Sequence, residues 1–111
     1  MKTTFIIAFI LLSELCFCQL SDLNIKNTSS YRSRGRYNWR IYIDASSIVL
    51  NSIDTVRYTL HPTFREPIVY GNARDKFSYS AIGWGEFNVI VKIIYRDKRK
   101  QPQVFNHWLN L

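Results

Sequence analysis

Strict alternation of apolar and polar positions begins at Tyr37. Trp39, Ile41 and Ile43 fall on one side and Arg40, Tyr42 and Asp44 on the other, the two-residue period of a half-buried strand. Val56, Tyr58 and Leu60, set against Arg57, Thr59 and His61, predict a second strand. Pro62 ends it, because proline brings no N–H to a ladder. Between the two, residues 45–52 read as a turn-rich connection, with residues 48–50 tucked against the core. Residues 63–75 read as a loop carrying Pro67 and Gly71, with a short extended piece at 68–70. A further strand places Phe77, Tyr79 and Ala81 on one face, and Gly83-Trp84-Gly85 breaks it. The longest run follows, with Phe87, Val89, Val91, Ile93 and Tyr95 on one face and Asn88, Lys92 and Arg96 on the other. A charged turn over 97–102 leads into a closing strand over 104–111. Short strands at close spacing, without an amphipathic helix among them, predict an all-β fold. Its expected form is an immunoglobulin-like β-sandwich of about seven to eight strands.

Residues 1–36 lack that alternation. Lys2 is followed by an apolar stretch over 5–12, then Cys16-Phe17-Cys18 and the polar Gln19. A basic start, an apolar centre too short to span a bilayer and a small-residue cut site describe a secretory signal peptide. The expected organisation is therefore a leader over 1–18, a flexible lead-in over 19–36 with room for one edge strand, and a sandwich domain over 37–111. Cleavage between Cys18 and Gln19 would make the protein secreted or periplasmic, with no membrane span remaining. An uncleaved anchor is a second reading, opposed by Glu14, which interrupts an already short segment. Lipid modification of Cys18 is a third, opposed by the bulk of Phe17. Asn27-Thr28-Ser29 matches a glycosylation sequon, which carries meaning only in a host with that machinery.

The chain has 111 residues, enough for one domain. Both cysteines lie in the expected leader, so the domain has no thiol, disulfide or cysteine ligand and must be held by packing. The formal charge is +7, and removing Lys2 and Glu14 together leaves it unchanged. Its basic residues are scattered, with two clusters, Arg32, Arg34 and Arg36 early and Lys98, Arg99 and Lys100 late, and the rest single. Two such clusters far apart read as solvated loops, so no specific nucleic-acid site is expected, while attraction to anionic envelope polymers fits the charge. The only histidines are His61 and His107, with no nucleophile elbow and no paired carboxylates at a general acid–base spacing. A catalytic role, a metal and a cofactor are accordingly not expected.

The run from Val56 through His61-Pro62-Thr63-Phe64 and Pro67, then Gly83-Trp84-Gly85-Glu86-Phe87, then Lys92 to Tyr95-Arg96-Asp97 resembles the YEATS domain, in its prokaryotic YEATS-like branch. The shared pattern is a strand ending in Leu-His-x-Thr-aromatic, a Gly-Trp-Gly-Glu-Phe turn and a long strand ending in aromatic-x-Asp. Trp39 sits where that family keeps an early-strand Trp. The resemblance covers residues 37–111 and implies a binding site at one end of the sandwich, which in eukaryotic relatives reads acylated lysine. Carried to this sequence, the ligand-binding residues are His61, Thr63 and Phe64 from one loop and Gly83, Trp84 and Phe87 from the other. A further family aromatic, contributed from the lead-in, has only Tyr37 as its counterpart here, at a shorter spacing.

These residue types suit such a ligand. An acylated lysine is an apolar stem ending in a flat neutral amide, and burying that amide unpaired costs about 1–3 kcal/mol. Thr63 offers a hydroxyl that His61 can orient, and the Trp84 backbone N–H offers a donor beside two glycines that admit close approach. Phe64 and Trp84 offer aromatic walls. Each also has an ordinary structural use: His61 bonding a loop carbonyl, Thr63 in a turn, Phe87 in the core and Trp84 capping the sandwich. Trp39 is expected in the core, and Trp108 in packing. The expected function is an exported recognition module for an acylated lysine or similar amide. The alternative is a small envelope scaffold that docks a partner protein through a strand edge or its basic loops.

Overall fold

The computed structural model describes residues 23–111. The expected leader and its cut site lie outside the described residues. Among the described residues no helix is long and apolar enough to cross a membrane.

Among the described residues seven strands form two antiparallel sheets. The first sheet has the order β1–β2–β5, with β1 at Asn24–Ser33, β2 at Arg36–Asp44 and β5 at Tyr79–Gly83. The second has the order β4–β3–β6–β7, with β3 at Ile53–Thr59, β4 at Ile68–Tyr70, β6 at Asn88–Tyr95 and β7 at Gln103–Trp108. This is the immunoglobulin-like sandwich that the alternation predicts.

The core is built from the residues that alternation assigns to one face. Trp39, Ile41 and Ile43 from β2 meet Ile53, Val56 and Tyr58 from β3 and Val89, Val91 and Ile93 from β6, all buried. A fully buried aliphatic side chain contributes about 1.5–3 kcal/mol, so this inner layer holds the sheets together without a disulfide. Tyr58 brings a hydroxyl into that layer and donates it to the Phe77 carbonyl at 2.6 Å. Burial pushes the phenol well above its ordinary value, so it stays a donor.

The structure differs from the sequence expectation in three places. Residues 24–33 of the expected flexible lead-in are strand β1, paired along β2 from Asn24↔Asp44 to Ser33↔Arg36. Only Leu23, Ile25 and Asn27 lean on the interior, and everything from Thr28 to Arg36 is exposed, so no apolar period marks the strand. Residues 45–52 contain a one-turn helix, α1 at Ser47–Asn51, capped by the Ser46 hydroxyl accepting from the Val49 N–H at 3.3 Å. Ile48 is not tucked in but 81% exposed. The strand expected from Phe77 begins at Tyr79, because Lys76 and Phe77 both take left-handed backbone (φ 51° and 54°). That turn still delivers the Phe77 ring to the core.

Candidate functional site

Two loops meet at one end of the sandwich. The first follows β3 and is closed by the Leu60 N–H donating to the Pro67 carbonyl at 2.6 Å, with an inner turn from the Phe64 N–H to the His61 carbonyl at 3.0 Å. The second joins β5 to β6 through Trp84-Gly85-Glu86-Phe87. Between them lies a cavity of about 420 Å³, lined by His61, Thr63, Phe64 and Arg65 from one side and Ile82 to Phe87 from the other. All six residues singled out from the sequence line this one cavity.

Its floor is aromatic. The Phe64 and Phe87 rings lie 5.3 Å apart, and each meets the buried Trp39 nearly edge-on at 6.2 and 6.1 Å. These contacts fix Phe64 as floor rather than as a free wall. Gly83 passes so close to Trp39 that a Cβ there would stand 3.1 Å from Nε1 and 4.0 Å from the Phe64 ring. Beside Gly85 the space is open. Trp84 stands at the rim, 77% exposed.

The polar group is fixed by its neighbour. The Thr63 N–H donates to His61 Nδ1 at 3.2 Å, which makes Nδ1 the unprotonated nitrogen of the ring. The Thr63 hydroxyl lies 2.8 Å from the same atom and therefore donates its hydrogen there. What the hydroxyl has left is lone pairs, so on this cavity-lining residue it is available as an acceptor. The His61 ring also rests near Phe87, with centroids 6.1 Å apart.

The second loop is tied to the far end of the chain. Glu86 accepts from the Leu111 N–H at 2.9 Å and from the Trp108 indole at 3.2 Å. The backbone hydrogen bond from Leu111, then that from Trp108, hold its carboxyl below the usual range. The Leu109 N–H adds a bond to the Phe87 carbonyl at 2.9 Å. Trp108, expected in packing, is instead 53% exposed and touches the cavity lining through Glu86. Asn27 ties β1 to the same segment, donating to the Asn110 carbonyl at 2.6 Å and accepting from the Asn110 N–H at 3.2 Å and the His107 ring at 2.8 Å. With its amide so engaged, Asn27 is poorly placed as a glycan acceptor.

Tyr37 does not line the cavity. It pairs with Gly83 in the β2–β5 ladder, and its ring meets Tyr31 edge-on at 5.4 Å. Arg65, Ile82, Gly85 and Glu86 line the cavity without having been singled out as ligand-binding, although Gly85 and Glu86 lie within the Gly-Trp-Gly-Glu-Phe turn. Among the described residues no three His, Cys, Asp or Glu side chains come together in a way that would hold a metal ion.

Residues 37–110 match the model of the prokaryotic YEATS domain, and the chain belongs to that family. Solved YEATS structures share the fold. The Yaf9 YEATS domain recognizing an H3K122suc peptide superposes with a TM-score of 0.70 at 23% identity, covering 80% of this chain and 70% of that one. The Yaf9 YEATS domain bound to H3K27ac gives 0.62 at 23% identity, covering 80% and 67%. The yeast AF-9 homolog protein Yaf9 gives 0.61, with the same identity and coverage.

Proposed function

We propose that the chain is an exported recognition module that binds an acylated lysine, or a similar flat neutral amide on an apolar stem, in the cavity between the two loops. The observation that carries this reading is the Thr63 hydroxyl, oriented by His61 as an acceptor above an aromatic floor. The ligand amide N–H donates to Thr63 Oγ1, the Trp84 backbone N–H donates to the ligand carbonyl, and the Trp84 ring closes over the flat face. Gly85 leaves room for that approach. The Yaf9 complexes with acylated histone H3 peptides support the ligand class. The role is binding, without a chemical step. The apolar leader supports action outside the cytoplasm on an envelope or extracellular partner, so the chromatin setting of the eukaryotic relatives is not part of the proposal.

Fluorescence titration with acetyl-lysine and unmodified peptides tests the site. Binding should require the acetyl group and be lost in Trp84→Ala. Unchanged binding in that variant, with the circular dichroism spectrum intact, would reject the ligand site and favour the scaffold reading. Amino-terminal sequencing of the exported protein should begin at Gln19.

A further inference from the structure

The hairpin of β1 and β2 continues past the sandwich as an arm with no core beneath it. Its turn, Arg34-Gly35, has positive φ at both residues (53° and 75°), and Ser33 pairs with Arg36 across it. That is the two-residue hairpin turn that favours Asn-Gly. An arginine in left-handed backbone is a costly choice there, and strain of this kind points to a use for the side chain. The arm is nonetheless stiff, since Tyr31 packs edge-on against Tyr37 and its hydroxyl accepts from the Gly35 N–H at 3.3 Å. Arg32, Arg34 and Arg36 are all exposed on it. The four ion pairs among the described residues engage Lys26, Arg40, Lys98 and Arg99, and none of these three.

The arm rises beside the candidate site, because Tyr37 at its base pairs with Gly83 at the edge of the cavity. From there a shallow groove of about 710 Å³, mixed in polarity, runs across the first sheet, with Thr28, Ser30, Asn38, Arg40 and Ser80 as the polar part of its border. Ile82 lines both the groove and the cavity, so the two are neighbours on the surface. A polypeptide whose modified lysine enters the cavity therefore has a track on which to lay its neighbouring residues. The groove offers hydroxyls and an amide and the arm offers its three arginines, on a chain of net charge +7 that repels a basic peptide.

We propose that the arm and the groove form a docking track for an acidic segment of the same polypeptide that presents the acylated lysine. This inference rests on the cavity being the acyl-lysine site. Exposed ion pairs each contribute about a factor of two, so three give about a tenfold preference for acidic over neutral flanks at low salt. The preference should shrink toward unity once the screening length falls to about 3 Å near 1 M salt.

The test uses four synthetic peptides, with the lysine acetylated or free and flanked by glutamates or by glutamines, titrated at low and high salt. Arg32→Ser, Arg34→Asn and Arg36→Ser combined should collapse the acidic-to-neutral affinity ratio to near one. Arg34→Asn alone should lower that ratio while raising the melting temperature. Lys98→Ser, Arg99→Ser and Lys100→Ser combined, at the opposite pole, remove the same three charges, should leave the ratio unchanged and so control for net charge. Equal affinity for acidic and neutral flanks in the wild-type protein, with binding still dependent on the acetyl group and Trp84, overturns the track and leaves the cavity reading intact. Binding indifferent to acetylation overturns the cavity reading, and with it the coupling of the track to a modified lysine. A single-stranded oligonucleotide that displaces the acidic peptide and binds more tightly also overturns the proposal, in favour of nucleic acid.

Discussion

Thr63→Val removes one hydroxyl and keeps the shape of the side chain, so it separates a binding role from a structural one. In the folded protein the hydroxyl makes one bond, to His61 Nδ1 at 2.8 Å, and both residues are exposed. Water can replace that partner, so the expected loss of stability is below about 0.5 kcal/mol. A bound amide N–H has no such recourse. Enclosed by Trp84 over the Phe64 and Phe87 floor, it loses its acceptor at a cost of about 1–3 kcal/mol, which is about a 5- to 150-fold weaker dissociation constant. The assay is a calorimetric titration with an acetyl-lysine peptide beside a thermal melt of each protein. An unchanged melt with markedly weaker binding is the expected pair of results. Affinity within a factor of two of the wild type would refute the assignment of this hydroxyl as the ligand's acceptor. A large fall in melting temperature would instead show that the His61–Thr63 bond holds the loop together.

Three further outcomes follow from the packing and the charges. Gly71→Ala places a Cβ 2.2 Å from the Phe77 carbonyl oxygen, a backbone atom that cannot swing aside, so urea unfolding should show a loss of at least about 1–3 kcal/mol. Tyr58→Phe leaves the Phe77 carbonyl without its 2.6 Å partner and should cost about 1–3 kcal/mol, seen as a lower denaturant midpoint with an unchanged slope. The carboxyls of Asp44, Asp75, Glu86 and Asp97 all lie below their ordinary values of 3.8 or 4.5 in the folded state, chiefly through hydrogen bonds. The unfolded chain therefore takes up protons first on acidification, and their stabilisation, complete above that range, is lost as pH falls through it. Burial lowers His107 from 6.5 in the same sense, so the decline in melting temperature should begin just below that pH. A flat profile from neutral pH into the carboxylate range would contradict both assignments, and Glu86→Gln should make the acid limb shallower.

The sandwich was legible where one face of a strand meets the core and the other meets water. Strands β2, β3 and β6 have that geometry, and their inward residues are the ones their alternation marks. Strand β1 was not legible as a strand of this length. From Thr28 onward neither of its faces is covered, so nothing selects for apolar residues on one side, and its pairing with β2 comes from backbone hydrogen bonds and the turn. Helix α1 is one turn long, too short to show a period, and Ser46 was its only signal. The six candidate residues converge because both loops leave their sheets at the same end, which spacing along the chain cannot show. Arg65 and Ile82 join the cavity by position alone, and nothing in their types announced it. The resemblance of the Gly-Trp-Gly-Glu-Phe turn to its family carried what local pattern did not.

The most direct test of the site is an amide-resolved NMR titration of nitrogen-15-labelled protein with an acetyl-lysine peptide and its unmodified twin. The acetylated peptide should shift the backbone amides of Thr63, Trp84 and Gly85 first and most, and the unmodified twin should leave them in place. Shifts that spare both loops and gather elsewhere on the sandwich would show that this cavity is not where the protein meets its ligand.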